Sequence, residues 1–95
     1  MTQEHHAEHE QVWLVDRTYS DDEQNIVILI YATTDGGRYL RKERAITSFS
    51  DSTETPAAVN AKIDNLGTVT DSETKAEYAV LAQERKAAHD PDDIV

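Results

Sequence analysis

Ninety-five residues with a formal charge of -10 and a pI near 4.6 are enough for one domain, one that repels itself in dilute buffer and has no general attraction to nucleic acid or anionic lipid. Cysteine is absent, which excludes disulfides and thiolate metal sites, and no apolar run approaches the ~20 residues of a membrane span. Leu, Ile, Val and Phe make up only about a fifth of the chain, the border of disorder at this charge, yet they stand in short blocks parted by turn residues, as a folded domain requires.

In chain order, residues 1–10 read as an acidic, His-rich tail, 11–90 as a single domain and 91–95 as an acidic C-terminal tail. Nothing at the N-terminus has the basic and apolar regions of a secretory signal, so the expected setting is cytoplasmic. Val12, Trp13, Leu14 and Val15 open a strand that runs to about Tyr19, and Ser20, Asp21, Asp22 and Glu23 form a turn whose side chains bond their own backbone. Residues 26–33 are the most hydrophobic stretch, short, β-branched and apolar on both alternating faces, which predicts a central strand covered on both sides. Asp35-Gly36-Gly37 is a hairpin signal, since Gly readily supplies the positive φ of primed turns. The return strand over residues 38–49 carries charge on both faces, as an edge strand does.

The second half reads as helical. Thr55-Pro56 places a capping hydroxyl before proline, Gly67 ends the segment, and Val59, Ile63 and Leu66 fall at helical spacing between them. Thr70-x-x-Glu73 forms a capping box with Val69 as staple, and a second helix follows until Asp90-Pro91 stops it. The predicted fold is α+β, a three-stranded antiparallel meander followed by two C-terminal helices (β-β-β-α-α). Ile28 and Ile30 are expected in its core. The opposite face, with Val27, Leu29 and Tyr31 and with Trp13 and Val15 nearby, needs its own cover. A second copy of the chain supplies it in one reading, which makes a homo-oligomer, a dimer first. Helices split between the two faces supply it in the other.

Candidate chemistry is sparse. His5 and His9 would lie one helical turn apart, a spacing that suits zinc, nickel or copper, but the His-Glu-x-x-His order of a zinc protease is missing and no fixed partners are in prospect. His89-Asp90-Pro91-Asp92-Asp93 lacks the alternation and glycine of a calcium loop. There is no phosphate loop, nucleophile elbow or nucleotide fingerprint, so neither a cofactor nor catalysis is expected. The exception to the acidic field is Arg38, Arg41, Lys42 and Arg44, interleaved with Tyr39. This strip would track phosphates while Tyr39 stacks on a base, bind an acidic protein, or guard an edge by pairing with Asp16, Glu43 or Glu84. With Trp13, Leu29 and Tyr31 these five residues complete the candidate interaction surface.

Dispersed acid, scarce lysine and many Ala, Thr and Asp residues resemble the composition of haloarchaeal cytoplasmic proteins. The stretches Thr33-Thr34-Asp35-Gly36-Gly37-Arg38-Tyr39-Leu40-Arg41-Lys42-Glu43-Arg44 and His89-Asp90-Pro91-Asp92-Asp93 resemble segments of small haloarchaeal proteins of unassigned function. The resemblance implies an interior rich in potassium chloride, where screening relieves carboxylate repulsion, and it transfers no site residue. The expectation is a small non-enzymatic module that acts by association with itself or another protein. The alternative is a nucleic-acid or ribonucleoprotein accessory binding through the basic strand.

Overall fold

Three strands pair in sequence order, and the first is longer than its neighbour can cover. In the computed structural model, which describes residues 8–20, 26–45 and 55–95, β1 (His9–Ser20) pairs antiparallel with β2 (Ile26–Ala32) only from Trp13 onward. β2 pairs along its whole length with β3 (Arg38–Ala45). The first half of β1 is left with an open edge, and β4 (Ala58–Lys62) fills it, from His9 opposite Lys62 to Trp13 opposite Ala58. A 3-10 turn at Ile63–Asn65 leads to β5 (Gly67–Thr68), which pairs with Tyr39 and Arg38 at the far edge of the sheet. α1 (Ser72–Ala88) follows.

The order β4-β1-β2-β3-β5 overturns the predicted β-β-β-α-α arrangement. The described residues form a five-stranded antiparallel sheet with a single C-terminal helix, not a three-stranded meander with two helices. The segment expected to be the first helix is β4, the 3-10 turn and β5. Its helical spacing of Val59, Ile63 and Leu66 loses to the unpaired edge of β1, whose backbone groups need partners. Ala57, Ala58 and Ala61, all buried, let that segment lie close against the sheet.

The order also settles how a strand apolar on both faces is covered. A flat five-stranded sheet would hold its edges about 19 Å apart, four spacings of ~4.8 Å. β4 and β5 occupy opposite edges, yet only residues 63–66, mostly the tight 3-10 turn, lie between them. That link reaches well under ~17 Å. The sheet therefore curls, and its concave side encloses Val12, Leu14, Val27, Leu29, Tyr31 and Ala61, flanked by Leu40, Val59 and Leu66. The convex side carries Trp13, Val15, Ala32 and Ile30 and is covered by Tyr78, Leu81 and Ala82 of α1.

The expected face assignments need correction accordingly. Ile28 and Ile30 are only half-buried, whereas Val27, Leu29 and Tyr31 form the deeper core. Trp13 and Val15 do not share a face with Leu29 and Tyr31. The register sets Leu14 opposite Tyr31 and Trp13 opposite Ala32, alternation returns Val15 to the helix side with Trp13, and a bulge between Leu14 and Asp16 turns Asp16 to that side as well, opposite Ile30. The bulge interrupts the ladder beside the Leu14 carbonyl, which accepts a hydrogen bond from Arg85 Nε at 3.2 Å.

The hairpin tip and the C-terminus lock these layers. Gly36, at φ 73°, donates its N–H to the Thr33 carbonyl at 2.8 Å, and it lies so close to α1 that a Cβ there would collide with the Lys75 carbonyl. Gln83 Nε2 donates to the Thr34 carbonyl beside it at 2.8 Å. α1 is capped by Asp71, one residue after the expected Thr70, its carboxylate accepting from the Thr74 N–H and hydroxyl at 2.9 and 2.7 Å. Residues 91–95, expected as a tail, dock instead on residues 55–58. The Ala57 and Ala58 N–H groups donate to the Asp93 and Pro91 carbonyls, and the Val95 N–H donates to Thr55. Val95 touches both apolar clusters. His5 and His6, the turn residues 21–23 and the last part of the expected return strand, 46–49, lie outside the described residues.

Candidate functional site

Alternation along β3 divides the basic strip between two faces. Leu40, Lys42 and Arg44 stand opposite Tyr31, Leu29 and Val27 on the concave side. Tyr39 and Arg41 stand opposite Ala32 and Ile30 on the helix side. There Arg41 forms an ion pair with Glu43, two residues along the same face. Tyr39 lies across Gly67, whose missing side chain makes room for the ring, and borders a hollow of about 230 Å³ with Ile30, Val69, Asp71 and Tyr78. Burial raises the Tyr78 hydroxyl pKa, with Asp16, Glu77 and Tyr39 adding to the effect. Arg38, at the upper end of β3, pairs with Glu10 at 3.7 Å. The five residues read as one surface are thus three separate environments.

Trp13, Leu29 and Tyr31 are not surface residues at all. They are 3%, 0% and 1% exposed within their own chain, so the apolar face that called for a second copy is already enclosed. The Tyr31 hydroxyl donates to the Pro56 carbonyl at 2.9 Å. Its pKa is raised by burial, against the opposing fields of Arg44, Arg17 and Arg85.

The register brings together a cluster that the linear strip did not contain. Arg17, Leu29 and Lys42 form one cross-strand row, and Tyr19, Val27 and Arg44 form the next, all on one face of β1-β2-β3. Side chains directly opposite across a sheet lie on the same side. Arg17 and Lys42 are separated by two strand spacings, about 10 Å, and the rows by about 7 Å. Lys42 is exposed, Arg17 and Arg44 are half-buried, and the Tyr19 ring is 63% exposed. Neither Arg17 nor Lys42 has an ion-pair partner among the described residues. Val27 and Leu29, in the middle of the two rows, are buried between them.

Arg17 and Tyr19 escaped the reading of the sequence because they sit about twenty positions before the strip. Their spacing of two, matching that of Lys42 and Arg44, was the available signal, but only the pairing register shows that the two couples meet.

Among the described residues, no group of three or more His, Asp or Glu side chains is placed to hold a metal. His9 begins β1, and His89 Nδ1 is 3.5 Å from Asp93 Oδ2 within the docked C-terminal turn. A hollow of about 230 Å³ lies beside Leu14, Leu81, Arg85 and His89, and one of about 350 Å³ lies beside Glu8, Lys62, Ile63 and Asp64. Among the described residues, no helix is long and apolar enough to cross a membrane.

Residues 6–95 match the model of a family of unknown function (DUF7967). No curated protein and no solved structure matches the chain.

Proposed function

The chain belongs to a family whose function is unknown, DUF7967, and we propose that it is a small non-catalytic binding module that engages an anionic partner through Arg17, Tyr19, Lys42 and Arg44. The observation that carries this reading is the register, which sets Arg17 against Lys42 and Tyr19 against Arg44 in adjacent rows of one face. Arg17 and Lys42, neither with an ion-pair partner among the described residues, stand on one face of a chain with charge -10 and offer an anion a local attraction that the whole does not. A protein under such self-repulsion gains nothing for solubility from that cluster, whereas a partner of opposite sign is steered to it.

The test is retention on a heparin column at low salt. Wild type is retained, the double variant Arg17→Glu/Lys42→Glu is not, and Arg41→Glu, on the other face, is retained like wild type. Thermal melts check that each variant is folded, because Lys42 is an exposed charge worth about 0–1 kcal/mol whereas Arg17 is half-buried. Wild type that flows through, or equal loss in the Arg41 variant, refutes the proposal. The same reading takes a salt-rich cytoplasm as the setting, supported by the dispersed acid. A melting temperature that rises between ~0.05 and ~2 M potassium chloride is the expected result, and one that stays flat removes the halophilic part.

A further inference from the structure

We infer that the anionic partner is a single-stranded nucleic acid, with phosphates against Arg17, Lys42 and Arg44 and a base stacked on Tyr19; this rests on the binding face proposed above. Three features of that face select this ligand from other anions. The first is spacing. The cations belong to two strands, β1 and β3, that flank β2, and their backbones frame an area of about 10 by 7 Å. A chain carrying one charge per unit can touch each corner in turn.

The second is the aromatic ring. Tyr19 points to the same side as Arg44 from the same cross-strand row and is 63% exposed, the most exposed of the large hydrophobic side chains among the described residues. An acidic protein surface satisfies the cations but leaves the ring in water. A nucleobase covers it, and every base has a face that stacks on an aromatic ring.

The third is where the cations stand. β3 pairs with β5 only at Arg38 and Tyr39, so its edge from Leu40 to Ala45 has no neighbouring strand among the described residues. A peptide strand added to that edge would lie one spacing beyond β3, about 15 Å from Arg17. Arg17 and Tyr19 would take no part in holding it. The cluster lies across the strands, which suits a polyanion laid over the face.

The experiment is fluorescence anisotropy with a labelled 12-nucleotide oligo-dT, a duplex of the same length and a labelled poly-glutamate peptide, from about 0.05 M potassium chloride upward. Oligo-dT binds more tightly than either competitor, and Tyr19→Ala weakens it roughly 5- to 150-fold while Tyr19→Phe restores it. Log affinity falls against log salt with a slope of about -1.4 or steeper, about 0.7 for each phosphate contact of Arg17 and Lys42. Arg17→Gln and Lys42→Gln each remove roughly 0.7 from that slope, and Tyr19→Ala leaves it unchanged. Circular dichroism melts confirm that each variant is folded. Poly-glutamate binding as tight as oligo-dT, or oligo-dT binding indifferent to Tyr19→Ala, overturns the nucleic-acid inference and leaves the anion-binding face intact. A duplex bound as tightly as the single strand overturns the stacking role. Failure of wild type on heparin, in contrast, removes the underlying reading as well.

Discussion

Leu29 is the residue through which the curled sheet is most directly tested. It is fully buried on the concave face between Arg17 and Lys42, whereas its neighbour Ile28 is half-buried on the other side, between Thr18 and Glu43. Leu29→Ala removes three carbons from an enclosed site, for which losses run from about 2 to 5 kcal/mol. The stems of Arg17 and Lys42 can close part of the cavity, so about 3 kcal/mol is expected. Ile28→Ala also removes three carbons, worth about 0.8 kcal/mol each when fully buried, and half that burial gives about 1 kcal/mol. A domain of 95 residues has roughly 5–14 kcal/mol in total. The Leu29 variant therefore loses a large share of its stability and melts about 12–24 °C lower. Urea denaturation in a fixed salt buffer measures both, with a shifted midpoint and an unchanged slope. The difference should hold over roughly a hundred-fold range of protein concentration, because Leu29 is enclosed by its own chain. Equal losses at the two positions, or a Leu29 loss below about 1 kcal/mol, would refute the curled sheet. A Leu29 effect that appears only at high concentration would place a second copy over that face.

Two further outcomes follow from the hairpin tip. Gly36→Ala forces a side chain into left-handed backbone, at about 1–2 kcal/mol, and against the Lys75 carbonyl as well; a thermal melt should fall by well over ~5 °C, and an unchanged melt would separate the hairpin from α1. The Asp35 carboxyl is held below its ordinary pKa of 3.8 by hydrogen bonds from the Thr33 hydroxyl and the Gly37 N–H, with smaller help from Lys75 and Arg38. A depressed folded-state pKa means a contribution that is complete above the ordinary value and lost as pH falls through the lower one. Urea midpoints of wild type should accordingly drop more steeply than those of Asp35→Asn as pH falls below about 4, and parallel acid limbs would refute the assignment.

Local chemistry determined the parts of this protein that depend on few neighbours. The strands at Val12–Tyr19 and Ile26–Tyr31, the Asp35-Gly36-Gly37 turn and the C-terminal helix were legible because alternation, turn residues and capping act within a few positions. Whatever required a distant partner was decided by the tertiary structure. Residues 56–66 carry a helical pattern, but the half of β1 that β2 cannot reach needs a strand, and five backbone pairs with Ala58–Lys62 outweigh propensity. Both faces of β2 are apolar, and a second copy or helices split between the faces was expected to cover them. The sheet covers one face itself by curling, since the short link from β4 to β5 draws its edges together. The candidate site divides in the same way. A basic strand was visible in the sequence, but alternation sends Arg41 and Tyr39 to the helix side, and the register brings Arg17 and Tyr19 from another strand to Lys42 and Arg44. A one-residue slip in either pairing would exchange the faces and disperse the cluster. Sequence fixes which residues are cations, and only the long-range hydrogen-bond ladder fixes which of them stand together.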